Sequence, residues 1–139
     1  MADLTREDSL ALLRVDASAA QRRTRCLRRG TAARITCWPY QSATYFNGDD
    51  HCTNMKGGCG CTHAEQRAVL AILTSPVLHE IAGRCTLWVT LSPCTACANL
   101  CVNSLLFSKV VYLRELKHDL RGIDILRKAG IEVVKGEEL

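Results

Sequence analysis

At 139 residues, 47% hydrophobic and 23% charged, the chain has the composition of a single soluble globular domain with enough length for a buried core. No apolar run approaches the roughly 20 residues of a membrane span, and the polar, acidic start from Met1 to Asp8 does not read as a signal peptide, so a cytoplasmic location is expected. A net charge of +4 and an aromatic content of 5% oppose an extended single-strand-binding surface.

No internal repeat, low-complexity tract or linker marks a boundary, so residues 1–139 read as one domain. Asp3 is a candidate cap for a first helix with an apolar stripe at Leu4, Leu10, Leu13 and Val15. Ala17 to Arg29 contains no Gly or Pro, and Gly30 is a candidate break. Arg22, Arg23, Arg25, Arg28 and Arg29 fall within eight residues. Most of them read as a solvated helix face, with one or two kept as a phosphate site. Ala32 to Trp38 and Gln41 to Phe46 read as two strands, antiparallel across a turn at Pro39, and Asn47-Gly48 ends the second.

Asp49 to Thr62 is a loop rich in Gly and Cys. A helix follows from about His63 to Leu73, closed near Pro76. Thr86 to Leu91 reads as a strand, Cys94 to Phe107 as a helix, and Lys109 to Leu113 as a strand. Asp119 to Lys128 is a helix with Leu120, Ile123 and Leu126 inward and Gly130 as its stop, and Ile131 to Val134 is the last strand. That final strand–helix–strand unit needs a crossover, so its two strands are expected to be parallel. The expected fold class is α/β, a three-layer α-β-α sandwich around a mixed sheet of about five strands.

Nine cysteines in a reducing compartment point to metal or catalysis rather than to disulfides. Two segments carry that chemistry, His63-Ala64-Glu65 and Pro93-Cys94-Thr95-Ala96-Cys97. Cys94 and Cys97 stand at i and i+3 in the first turn of a helix, so they share a face and can grip one ion. The helix end stabilises their thiolates, and Pro93 suits a helix start. One imidazole and two thiolates are three zinc ligands, which leaves an open tetrahedral position for water. Glu65 is placed to move that water's protons without binding the metal. Each piece alone has an ordinary reading: a redox pair, a surface histidine, a first-turn acid. Their joint occurrence in this order is the pattern of zinc deaminases that act on nucleobases.

From about Arg25 to Val134 the chain resembles the cytidine/deoxycytidylate deaminase superfamily, most closely its deoxycytidylate (dCMP) deaminase branch of phage and bacterial type. The residues behind this are the His-Ala-Glu form at 63–65, Cys26-Leu27-Arg28-Arg29, Tyr45-Phe46-Asn47-Gly48, Tyr112, Gly122-Ile123-Asp124-Ile125-Leu126 and Gly130-Ile131-Glu132-Val133. Two departures are Gly30-Thr31-Ala32, where the family usually has Val-Gly-Ala, and Arg67, where it usually has asparagine. The resemblance implies a cytidine deaminase-like fold and zinc-dependent conversion of dCMP to dUMP and ammonia. Zinc would sit on His63, Cys94 and Cys97, with Glu65 as the catalytic acid–base. Asn47 would meet the sugar, the Ala64 backbone N–H the base carbonyl, and the Ser92 backbone carbonyl the amino group. Arg28, Lys117, His118 and Arg121 are candidates for the phosphate, some of them in a neighbouring subunit. A homo-hexamer regulated by dCTP with Mg2+, and inhibited by dTTP, is implied as well.

His51, Cys52, Cys59 and Cys61, with Cys26, suit a second, closed structural zinc, a feature that the resemblance extends to some members of the branch. Cys37, Cys85 and Cys101 read as ordinary core residues. Competing functions are a deaminase of cytosine or adenosine in nucleic acid and a non-catalytic zinc-binding module. Low aromatic content opposes the first, and Glu65, which a structural site does not need, opposes the second. A 5-substituted dCMP is a further candidate substrate.

Overall fold

The computed structural model describes residues 6–24, 26, 29–48, 61–117 and 119–136. In chain order the elements are α1 (Arg6–Arg23), β1 (Ala32–Cys37), β2 (Tyr40–Gln41), β3 (Tyr45–Phe46), α2 (Ala64–Leu73) and α3 (Leu78–Ile81). They continue with β4 (Cys85–Leu91), α4 (Thr95–Ser104), β5 (Phe107–Arg114), α5 (Arg121–Lys128) and β6 (Glu132–Lys135). The sheet order is β2-β1-β4-β5-β6, with β3 also paired to β1. β1 runs antiparallel to β2, β3 and β4, whereas β4, β5 and β6 are mutually parallel. The expected parallel pair at the chain end is present, and β4 extends it to three strands. No helix among the described residues is long and apolar enough to cross a membrane.

Alternation along the strands assigns the two faces of the sheet. Ile35, Leu87, Val89, Val110 and Val133 pack with Ala68, Val69 and Ile72 of α2, Ala98 and Cys101 of α4, and Ile123 and Leu126 of α5. Burying each large aliphatic side chain there contributes about 1.5–3 kcal/mol. Val111, Leu113 and Trp88 point the other way, to Leu10, Leu13 and Ala17 of α1. Arg34 and Asp16 form an ion pair at 2.7 Å on that second face.

Several boundaries differ from the expectation. Gln41 to Phe46 is two short strands, because buried Ser42 breaks the ladder. Its hydroxyl accepts from the Ile35 N–H at 2.9 Å while its own N–H donates to the Ile35 carbonyl at 2.8 Å. β2 and β3 consequently pair opposite ends of β1, Cys37 with Tyr40 and Ala32 with Phe46. Helix α1 ends at Arg23, well before Gly30. Helix α4 stops at Ser104, where Leu105 takes a left-handed conformation (φ 59°) and the chain turns into β5. Helix α5 starts at Arg121 rather than Asp119, whose carboxylate is turned toward α4. Its stop at Gly130 is as expected: φ is +86° there, and the Ile131 N–H closes back on the Leu126 carbonyl.

Candidate active site

Helices α2 and α4 lie on the same face of the sheet, and each presents its N-terminus. The residue just before each helix is a candidate ligand. His63 (ψ 153°) and Cys94 (ψ 172°) are both extended, so each side chain leaves the helix start instead of joining its cylinder. The Gln66 carboxamide oxygen accepts the His63 backbone N–H at 2.7 Å and fixes the histidine end of this arrangement.

His63 Nδ1 stands 3.1 Å from Cys97 Sγ and 3.6 Å from Cys94 Sγ, and the ligand atoms of His63, Cys94 and Cys97 all lie within 4.8 Å of one another. A tetrahedral zinc with Zn–N of 2.0–2.1 Å and Zn–S of 2.3 Å requires N···S and S···S separations of about 3.5–3.8 Å. The donor set is soft and borderline, as zinc prefers. The 3.6 Å separation meets that requirement and the 3.1 Å separation is about 0.4 Å short of it, so the three residues fit zinc in chemistry and need a small outward shift of one ligand atom to fit it in spacing. No other group of three such side chains occurs among the described residues.

Cys97 is fully buried and Glu65 is 5% exposed. Hydrogen bonds from Cys97 and His63 pull the Cys94 thiol down to about 4, while sharing that bond with Cys94, together with burial, drives Cys97 up. The bond with Cys94 raises His63. Burial is the largest influence on Glu65 and raises it, against its own backbone N–H and His63, which lower it. The carboxyl thus stands buried beside three candidate metal-ligand atoms, where a proton carrier for a metal-bound water would be placed.

The remaining site residues divide. Ala64, fully buried, opens α2. Ser92, also buried, donates its N–H to the Arg114 carbonyl at 2.8 Å, and its hydroxyl accepts from Leu116 N–H at 2.7 Å. Asn47 is buried and its carboxamide is heavily engaged. Oδ1 accepts from Thr31 N–H at 2.8 Å and from the Thr24 hydroxyl at 3.2 Å, and Nδ2 donates to the Arg29 carbonyl at 2.9 Å. Asn47 thus fastens the segment before β1 to the end of β3. Lys117 and Arg121 are exposed, and Arg121 Nε pairs with Asp119 at 3.3 Å. Arg28, His51, Cys52, Cys59 and His118 lie outside the described residues, so of the residues expected to hold a second zinc only Cys26 and Cys61 are described, both buried. Within the arginine run, Arg22 is exposed and donates to Ser18 Oγ at 3.1 Å, while Arg23 stacks over the Phe46 ring at 5.0 Å. Cys85 and Cys101 are core residues as expected, with burial raising Cys85 to about 11. Cys37 is partly buried.

Three residues that the motif does not contain also shape the site. Arg67 donates to the Phe46 carbonyl at 2.7 Å. Asp119 accepts the Thr95 N–H at 2.8 Å. Gly122 packs so closely that a Cβ there would lie 2.0 Å from the Pro93 carbonyl oxygen. Arg67 was visible in the sequence as a departure from the family pattern. Asp119 and Gly122 act across more than twenty residues of chain, and no local spacing reveals them.

An α-β-α sandwich with a histidine and two cysteines meeting at two helix starts, beside a buried glutamate, is the arrangement of a zinc-binding deaminase domain. The chain belongs to the cytidine and deoxycytidylate deaminase family, whose zinc-binding region matches residues 11–114. In fold it is similar to the dCMP deaminase of the cyanophage S-TIM5. The complex of that protein with dCMP and dUMP aligns with a TM-score of 0.77 and 27% identity, over 96% of this chain and 99% of that one. Its apo form aligns with a TM-score of 0.72 and 26% identity, over 95% and 99%. Acinetobacter baumannii RibD (form 1) shares the fold at TM-score 0.68 and 22% identity, over 95% of this chain and 36% of that one. No curated protein matches the chain.

Proposed function

We propose that the protein is a zinc-dependent hydrolase that deaminates dCMP to dUMP and ammonia. The observation that carries this reading is the meeting of His63, Cys94 and Cys97 ligand atoms within 4.8 Å, with buried Glu65 electrostatically coupled to them. The similarity to a phage dCMP deaminase along nearly the whole of both chains supports the substrate.

Zinc held by His63 Nδ1, Cys94 Sγ and Cys97 Sγ would supply Lewis acidity, making water nucleophilic near neutral pH. Glu65 takes a proton from the attacking water and passes it to N3 of cytosine as the oxygen adds to C4. Glu65 then takes the proton of the new C4 hydroxyl and delivers it to the departing amine, the C4–N bond breaks, and ammonia leaves a uracil ring. The Ala64 N–H holds the base carbonyl, the Ser92 carbonyl orients the amino group, and Asn47 sets the sugar. Arg28, Lys117, His118 and Arg121 are the groups offered for the phosphate.

The same reading includes a second, structural zinc on Cys26, His51, Cys52, Cys59 and Cys61, a dCTP effector with Mg2+, a homo-oligomer and a cytoplasmic location. The deciding experiment follows ammonia release from cytidine, deoxycytidine, CMP, dCMP, dCTP and a short oligonucleotide. Turnover confined to dCMP is the expected result, and equal turnover of the oligonucleotide would overturn the choice of substrate. Metal analysis distinguishes one zinc per chain from two.

A further inference from the structure

Helix α4 has an unusual problem at its N-terminus. A helix start leaves backbone N–H groups without partners, and a Ser, Thr, Asp or Asn just before the helix normally satisfies one of them. Here that position is Cys94, a candidate zinc ligand, and it makes no side-chain cap. The N–H of Thr95, the first helical residue and beyond the reach of an N-cap side chain, is satisfied from another part of the chain. Asp119 Oδ2 accepts the Thr95 N–H at 2.8 Å, and its Oδ1 accepts the Thr95 hydroxyl at 2.9 Å.

The two Asp119 bonds are half of four hydrogen bonds that join the segment after β4 to the end of β5 and the loop beyond it. The loop after β4 and the loop after β5 leave neighbouring parallel strands. Ser92 donates its N–H to the Arg114 carbonyl and accepts from Leu116 N–H on its hydroxyl. Asp119 turns back on the Leu116 carbonyl through its own N–H at 3.0 Å. Gly122 then seats the start of α5 against the Pro93 and Cys94 carbonyls, with no room for a side chain. The Pro93-Cys94 turn is therefore held on one side by the sheet and on the other by Arg114, Leu116, Asp119 and Gly122.

We infer that Asp119 is a positioning residue for the metal site: by holding the first turn of α4 at Thr95 from outside, it fixes the placement and spacing of Cys94 and Cys97. This inference rests on the zinc reading above but not on the choice of substrate. The ionised carboxylate is the capping form, and its bond from the Thr95 backbone, with lesser help from Arg121, holds Asp119 below the ordinary carboxylate range. Partners beyond the first ligands commonly tune metal affinity by about 10–100-fold.

The test is zinc competition against a chromophoric chelator on the full chain, with melting curves of the zinc-loaded and zinc-stripped forms. Asp119→Ala is expected to weaken zinc retention about tenfold or more and to narrow the gap between the two melting temperatures. Asp119→Asn keeps one oxygen for the Thr95 N–H and is expected to restore most of the retention. Parental zinc affinity in Asp119→Ala, with both melting temperatures lowered equally, would overturn the inference, because that is how a purely structural cap behaves. Should Asp119→Ala not fold, Thr95→Val decides: it removes only the hydroxyl contact, so a smaller loss of zinc supports the role and parental retention refutes it. A parent that binds zinc yet leaves dCMP unchanged refutes the substrate and leaves Asp119 where it stands.

Discussion

Arg67 Nη1 donates to the Phe46 carbonyl at 2.7 Å, and the same guanidinium lies over the Tyr45 ring at 6.0 Å. One turn of α2 separates Arg67 from His63, whose carbonyl accepts the Arg67 N–H at 3.2 Å. The helix that carries Glu65 is thereby tied to the strand end that leads into Asn47. Arg67→Met removes the charged hydrogen bond and the ring contact while preserving length. With dCMP as substrate, KM is expected to rise about tenfold, the equivalent of ~1.4 kcal/mol for a bond to a charged group, with zinc content unchanged. Steady-state kinetics and metal analysis on the same preparation check both halves. An unchanged KM would remove Arg67 from the site.

Glu65→Ala should separate metal binding from turnover. The zinc ligands are untouched, so one ion per chain at this site is expected to remain. Ammonia release should fall by about 10²–10⁴, the usual contribution of a positioned acid–base group. Turnover close to the parental rate would place the proton transfers on another group.

The Asp16–Arg34 pair beneath α1 makes a prediction about pH. Burial raises the Asp16 pKa above its ordinary 3.8 despite the opposing bond from Arg34. A carboxyl whose folded pKa is raised binds a proton more readily folded than unfolded, so its contribution to stability falls as pH rises from 3.8 through the folded value. Arg34→Met strips the partner and leaves a buried carboxylate, at a cost of about 3–5 kcal/mol near pH 7. That loss should shrink as the pH is lowered and Asp16 takes up its proton. Denaturant midpoints from pH 4 to 8 test this, and a loss that is constant with pH would contradict it. The double variant Asp16→Leu with Arg34→Met should recover most of the stability.

Leu105 ends α4 in the left-handed region at φ 59° and is 78% exposed. A leucine there bears the steric cost of its Cβ and gains little from burial. Leu105→Gly is expected to stabilise the fold by about 0.5–1 kcal/mol, seen as a higher melting temperature with unchanged zinc binding. A lower melting temperature would mean that the greater freedom of glycine in the unfolded chain outweighs the relief.

The sequence is most legible where chemistry dictates residue type. His63, Glu65, Cys94 and Cys97 stand out because few functions other than metal-assisted deamination need that set in that order. The structure brings His63 and the two cysteines to one point from helices far apart in the chain. The strands β4, β5 and β6 are readable as short apolar runs separated by helical spacing. What stays hidden depends on distant partners. Ser42 splits a strand because its hydroxyl stands in for a backbone group of β1. Leu105 stops a helix that no glycine or proline ends. Asp119 looks like an ordinary first-turn acid of α5, whereas its carboxylate serves α4.

The parallel order of β4, β5 and β6 also bears on how the site is held together. Cys94 and Cys97 belong to one uninterrupted stretch of chain, from Cys85 to Lys135, whose strands pair with their immediate successors. His63 and Glu65 precede that stretch, and their helix packs both on β1, which pairs antiparallel with β4, and directly on α4. An ion held by His63, Cys94 and Cys97 would therefore cross-link a stretch of chain before β4 to one after it, and removing it should loosen the junction between α2 and α4.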